Sequence, residues 1–231
     1  MEKRIQEIAV IQTDFPEKFG LPRQSGLVEE LEGRVVLHPQ FAREEALRGL
    51  EDFSHIWLIW GFSEAKHWSL TVRPPRLGGN RRMGVFATRS PFRPNGLGLS
   101  AVRLLRVDAK AGILTVAGID LMDGTPIYDI KPYLPYVDSY PDAVGGFGAR
   151  VYENRLHVTM ATQWRRLLSR QQCAALIRLL EQDPRPSYQD DPQRVYAFSF
   201  AGYTVRFRVA GSTLQVTELI PPADEPAGQC E

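Results

Sequence analysis

The chain has 231 residues, 43% hydrophobic and 24% charged, with a net charge of +1, an ordinary globular composition that excludes disordered and fibrous classes. That length allows one or two domains with a sizeable core, while the longest apolar run, Ile56–Phe62, falls far short of the roughly 20 residues of a membrane helix. MEKRIQEIAV lacks an apolar core followed by a small-residue cleavage site, so a soluble, cytoplasmic protein is expected.

Arg4–Thr13 mixes β-branched with polar residues and predicts a first strand, closed by the Asp14-Phe15-Pro16 turn. Next comes FGLPRQSG (19–26), whose Gly and Pro spacing marks an exposed loop of the kind that carries binding residues on a rigid scaffold. Gly33–His38 reads as a second strand and Arg43–Leu50 as a short helix. Phe53–Phe62 is nearly continuously apolar, which predicts a strand buried on both sides or on a crowded sheet, with Trp57 and Trp60 in the core.

Thr71–Ser100 carries six arginines and no acidic residue. Such a charge-skewed, Pro- and Gly-rich segment reads as a surface for an anion, and phosphates are the obvious candidates. Leu97–Val107 and Gly112–Ile119 form a hairpin signature, Asp123-Gly124 is a turn dipeptide, and Pro126–Tyr133 is the last strand of the region. Six or seven short strands with almost no helix make the fold mainly β, with a β-sheet or β-barrel over residues 1–140.

Residues 141–154 are Gly- and Pro-rich and read as a linker. In Ser169–Gln182, Ser169 and Gln172 form a capping box, and Cys173, Leu176, Ile177 and Leu180 share one helical face. Asp183-Pro184 ends that helix. Strands at Val195–Phe200, Thr204–Val209 and Leu214–Leu219 complete a small α+β unit over 155–220, and 221–231 form a flexible tail.

Cys173 and Cys230 suggest neither a disulfide framework nor a thiolate site, and His38, His55, His67 and His157 lack metal-ligand spacing, so no metal is expected. No Rossmann fingerprint, P-loop or GxSxG elbow is present. The residues alone lead to a β-domain with an arginine-rich, loop-built anion site and an appended α+β unit.

VRPPRLGGNRRMGVFATRSPFRPNGLGLS, FGLPRQSGL, GLEDFSHIWLIWGF, DLMDGTPIYDIKPYLP and QDPRPSY, in that motif set and spread over about residues 5–210, resemble the TrmO family of tRNA methyltransferases. The resemblance implies N6-methylation of threonylcarbamoyladenosine beside the anticodon, an S-adenosylmethionine site on a β-barrel, and a homodimer. Carried over by position, it implies cofactor contacts from Pro22, Arg23, Gln24, Ser63, Glu64, Arg89, Leu99, Leu121, Asp123, Gly124, Thr125 and Pro126. Ser63-Glu64 stands where some members have His-Gln or His-Glu, and Gly96 where another has proline.

A carbamoylated N6 is a poor nucleophile until its proton is shared with a base. Asp129, Lys131 and Tyr133 alternate along one strand face and are the catalytic candidates; a plain surface ion pair between Asp129 and Lys131 is the alternative. Arg81, Arg82 and Arg93 are assigned to tRNA phosphates, and Arg185 and Tyr188 to splayed bases of the anticodon loop. Two other readings stand beside this one: a methyltransferase with another RNA or a small-molecule acceptor, and a non-catalytic RNA-binding module.

Overall fold

A computed structural model describes residues 4–74, 77, 81–148, 155–185 and 191–222. Eight strands precede residue 133: β1 (Ala9–Thr13), β2 (Glu32–Leu37), β3 (His55–Gly61), β4 (Thr71–Val72), β5 (Met83–Gly84), β6 (Leu97–Asp108), β7 (Ile113–Ala117) and β8 (Pro126–Pro132). Six of them close a barrel in the order β1-β2-β7-β6-β3-β8, and β4 and β5 pair separately. Every barrel pairing is antiparallel, and β1 pairs with both β2 and β8, so no barrel edge is left open.

The period-2 pattern fixes what faces inward. Ala9, Ile11, Val35, Ile56, Leu58, Leu114, Val116 and Ile127 are fully buried. Bulges at Ile59/Trp60 and Leu104/Arg106 shift the register where β3 meets β8 and β6 meets β7.

The apolar run of β3 therefore buries its inner face fully and its outer face only in part, where its sequence predicts burial on both sides or a crowded sheet. Trp60 points inward, but Trp57 lies half-buried on the outer wall, its ring centroid 5.4 Å from that of Tyr133. The Trp57 indole donates to Asp138 Oδ2 at 2.9 Å, and that carboxylate also accepts the Leu134 N–H. The helix expected at Arg43–Leu50 is shorter: α1 spans Glu44–Leu47, and Gly49 at φ 84° breaks it before a 3-10 turn over Leu50–Asp52. A second one-turn helix, α2, covers Pro135–Asp138.

The remaining elements are β9 (His157–Met160), α3 (Thr162–Arg165), α4 (Arg170–Glu181), β10 (Tyr196–Phe200), β11 (Tyr203–Ala210) and β12 (Thr213–Ile220). The capping box of α4 is formed as expected: Ser169 Oγ accepts the Gln172 N–H, and Gln172 Oε1 accepts the Ser169 N–H. Its apolar face packs on a four-stranded sheet ordered β10-β11-β12-β9. β9 was not legible beforehand, because it is four residues long and pairs in parallel with a strand more than fifty residues away.

The α+β unit is seated on the segment that joins β1 to β2. Phe15 is fully buried, with its ring 5.2 Å from Phe200, and Phe19 meets Phe198 edge-on. Gly20 lies so close to Phe198 that a Cβ there would stand 2.4 Å from the ring. Along the β10 edge, Ser199 N–H donates to Glu17 Oε1 and Ala201 N–H to the Asp14 carbonyl, so the joining segment covers an otherwise open edge. One apolar cluster thus runs through both units.

Phe200→Ala should cost about 3–5 kcal/mol, as expected for deleting a buried ring, and should shift one common unfolding transition of the whole chain. Calorimetry resolving two transitions, of which only one moves, would contradict the shared core.

Candidate active site at the barrel mouth

Because neighbouring strands alternate in direction, β1, β3 and β7 finish at the same end of the barrel at which β2, β6 and β8 begin. Three connections therefore meet at one mouth: residues 14–31, residues 62–96 with the arginine stretch, and residues 118–125. Backbone bonds tie the first and third together. Gly26 N–H donates to the Gly118 carbonyl, Gly118 N–H to Leu31, Asp123 N–H to Phe15 and Gly124 N–H to Ile11. Asp123 Oδ1 accepts the Thr13 N–H at 2.9 Å, and Thr13 Oγ1 donates to the Leu121 carbonyl.

A polar chain runs from the barrel interior into this mouth. Trp60 Nε1 donates to Ser100 Oγ at 2.9 Å, and Ser100, 1% exposed, donates to Asp120 Oδ1 at 2.6 Å. Gly98 makes room for the indole, since a Cβ there would lie 2.2 Å from the ring. Burial raises Asp120 above the usual carboxylate range, opposed by the Ser100 hydroxyl, the Ser25 backbone N–H and the charge of Arg89. Arg89 Nη1 in turn donates to Gln24 Oε1, and Gln24 Nε2 to the Arg23 carbonyl.

Beside this chain a cavity of about 210 Å³ opens between the end of β3 and the FRPNG turn. Gly61, Phe62 and Ser63 form one side, Asn95, Gly96 and Leu97 the other, and Ile5 and Tyr128 complete it.

The family profile of the tRNA-methyltransferase O N-terminal domain matches residues 10–139, and that of the TrmO C-terminal domain matches residues 153–222. The chain belongs to the TrmO family. It is 41% identical over 230 residues to the tRNA (adenine(37)-N6)-methyltransferase of Escherichia coli, covering 94% of this chain and 98% of that protein. A putative S-adenosylmethionine-dependent methyltransferase of Pseudomonas aeruginosa is 47% identical over 206 residues, covering 85% and 88%. The crystal structure of TrmO from P. aeruginosa superposes with a TM-score of 0.79 at 36% identity, covering 96% of this chain and 98% of that one.

In this TrmO-family chain, most of the positions assigned to the cofactor lie on the three mouth loops. Arg23, Gln24 and Arg89 form the hydrogen-bonded string described above, Ser63 lines the cavity, and Asp123 and Gly124 are exposed on the third loop. Glu64 is exposed beside Ser63, and Pro126 opens β8. Pro22, Leu121 and Thr125 are buried, which leaves backbone groups as their means of contact. Leu99 stands apart, on the outer wall opposite Ile59, whose other partner is Asp129.

The catalytic candidates run down that outer wall. Lys131 Nζ lies 3.1 Å from Asp129 Oδ2, so the two form a surface ion pair, and Tyr133 packs against Trp57 and His55 at the far end of β8. Among the RNA candidates, Arg81 and Arg82 are exposed, and Arg82 donates to Thr71 across the β4–β5 pair. Arg93 turns inward on its own loop and donates to the carbonyls of Thr88 and Ser90. Arg185 is buried, and its Nε and Nη2 each lie 2.9 Å from an Asp183 carboxylate oxygen. Its guanidinium is thus committed to the loop, not offered to an RNA base; Tyr188 lies outside the described residues. Among the described residues no group of three or more His, Cys, Asp or Glu converges as a metal site, and no helix is long and apolar enough to cross a membrane.

Sequence reasoning passed over Asp120, Ser100 and Trp60 as functional residues. The one available signal was an acidic side chain immediately after the largely apolar stretch Ile113–Ile119, a place where a carboxylate is drawn towards the core and so needs hydrogen-bond donors.

The raised Asp120 carboxyl has a definite consequence for stability. The folded protein holds this proton to higher pH than the unfolded chain, so the group's contribution is largest below the unfolded value and declines as pH rises towards the folded one. Asp120→Asn removes that decline. The unfolding free energy of the variant minus that of the parent should therefore increase between about pH 4 and pH 7 in urea titrations; a difference that shrinks over this range would mean the carboxyl is depressed instead.

Proposed function

We propose that the chain methylates N6 of adenine 37 in tRNA, with S-adenosylmethionine as methyl donor and threonylcarbamoyladenosine as the acceptor nucleoside. What carries this reading is the convergence of Arg23, Gln24, Ser63, Arg89, Asp123 and Gly124 on one barrel mouth, in a chain whose near full-length relative is named for that reaction. The donor set suits the cofactor. Guanidiniums of Arg23 and Arg89 match its carboxylate, exposed loop hydroxyl, carboxylate and backbone groups match ribose and adenine edges, and Phe62 and Leu97 give the cavity apolar walls. When bound, the cofactor supplies an electrophilic methyl group on a cationic sulfur.

The protein's part is orientation and proton handling. We assign Asp129 as the base that takes the N6 proton as the N–CH3 bond forms. Asp129 Oδ1 accepts the Ile130 N–H at 2.9 Å and Oδ2 faces Lys131, which together fix the carboxylate on the outer wall next to the Ile59 and Leu99 row. Lys131 orients it, while Tyr133, packed against Trp57 and His55 at the far end of β8, keeps only a place on that wall. Arg81 and Arg82 meet backbone phosphates, while Arg93 shapes the loop that presents them. The proposed homodimer uses the same side of the barrel, where Trp68, Leu70 and Phe86 are 55%, 72% and 77% exposed, an apolar patch that a partner copy would cover. A cytoplasmic location belongs to the same proposal, supported by action on tRNA.

Calorimetry with S-adenosylmethionine should show saturable binding, which a purely RNA-binding module would lack. Asp129→Asn should slow single-turnover methylation by about 10²–10⁴-fold with cofactor affinity unchanged; full activity would remove Asp129 as the base. Replacing Arg81 and Arg82 by alanine should weaken tRNA binding and flatten its salt dependence, each lost phosphate contact reducing the log–log slope by roughly 1. An unaltered slope would place the tRNA elsewhere.

A further inference from the structure

Nothing in the relatives' names concerns Asp120, yet its carboxylate is the point at which the polar chain from the barrel interior enters the mouth. The hydrogen bonds have a fixed sense. An indole N–H can only donate, so the Ser100 oxygen accepts from Trp60 and its single proton is left for Asp120 Oδ1. The anchor is rigid, because Trp60 fills the space that Gly98 leaves open and Phe62 packs edge-on against it at 4.5 Å. On the first mouth loop Gly26, next to Ser25, donates its N–H to the Gly118 carbonyl two residues before Asp120, so that the Ser25 N–H acts on the carboxylate, and the positive charge of Arg89 on the second loop lies within its electrostatic reach. Arg89 then holds Gln24, one residue before Ser25. Two loops separated by more than sixty residues are thereby referred to one atom group fixed to the barrel wall.

We propose that Asp120 is a positioning residue for the cofactor site: it sets the Pro22–Ser25 loop and Arg89 in one mutual register and so determines affinity for the methyl donor. This rests on the reading that the mouth binds S-adenosylmethionine. A neutral amide at 120 keeps an acceptor for one donor but loses the charge opposite Arg89, and an NH2 group replaces the second acceptor oxygen. The Arg89 side chain is then released from its register, and the charge-assisted part of cofactor capture weakens.

The test is a double-mutant cycle on the full chain, reading S-adenosylmethionine affinity by calorimetry and KM against kcat with tRNA. Asp120→Asn should weaken cofactor binding by about tenfold, the size of one charge-assisted hydrogen bond, and raise KM for the cofactor more than it lowers kcat. Added to Arg89→Gln it should cost less than about twofold further, because both changes remove the same register. Asp120→Glu should recover part of the loss. Unchanged affinity in Asp120→Asn, or losses that multiply in the double variant, would overturn the proposal; a purely structural carboxylate would give independent effects. If Asp120→Asn does not fold, Ser100→Ala keeps the carboxylate and frees its anchor. It should weaken binding by about threefold, again without adding to Arg89→Gln, and parental affinity in Ser100→Ala would equally overturn the proposal. A parent protein that binds no S-adenosylmethionine would instead overturn the reading of the mouth itself.

Discussion

The mouth of the barrel depends on where the segment from Asp14 to Leu31 is held. It is wedged between two bodies. On one side Gly26, Leu31 and Phe15 bond to the backbone of the loop between β7 and β8; on the other, Phe15, Phe19 and Gly20 are locked against the aromatic face of β10. Arg23 carries the wedge further, since its Nη2 donates to the carbonyls of Asp183 and Arg185 just past α4. The α+β unit is thus a buttress for the proposed cofactor loop as well as the part of the chain in which tRNA contacts were expected. Burial of Phe15 and Phe200 in a common cluster, at roughly 1.5–3 kcal/mol per side chain, makes this seating part of folding.

The second consequence concerns charge. The arginine stretch has no acidic residue of its own, yet its members do not act as one patch. Arg89 faces Asp120 and bonds Gln24, and Arg93 is spent on the carbonyls of its own turn. Arg81 and Arg82 stay at the surface. The acceptors within reach decide the division: exposed Arg89 finds the Gln24 amide oxygen, and half-buried Arg93 finds the carbonyls of its own turn. What is left outside is the portion suited to a polyanion.

Local periodicity made most of the fold legible. The inward residues of β1, β2 and β7 alternate with outward ones, the α4 capping box is formed, and two of the family blocks, FGLPRQSGL and the arginine stretch, fall on the mouth loops. What stayed hidden depends on partners far away in the chain. Trp57 looked like core because its neighbours are apolar, but a period of 2 turns it to the outer wall. Arg185 looked like an RNA contact because DPRPSY is exposed-loop chemistry, but Asp183, in a left-handed conformation at φ 49°, folds back to hold it. Asp120 drew no attention, since a carboxylate gains its meaning from Ser25, Arg89 and Ser100, which the barrel topology alone assembles.

The most direct measurement is nucleoside mass spectrometry of tRNA, isolated from cells lacking this protein, after incubation with the purified chain and isotopically labelled methyl donor. The expected result is label on N6 of threonylcarbamoyladenosine at position 37, absent with Asp129→Asn. Label on another nucleoside, or no transfer by a folded protein that binds the donor, would contradict the proposed reaction.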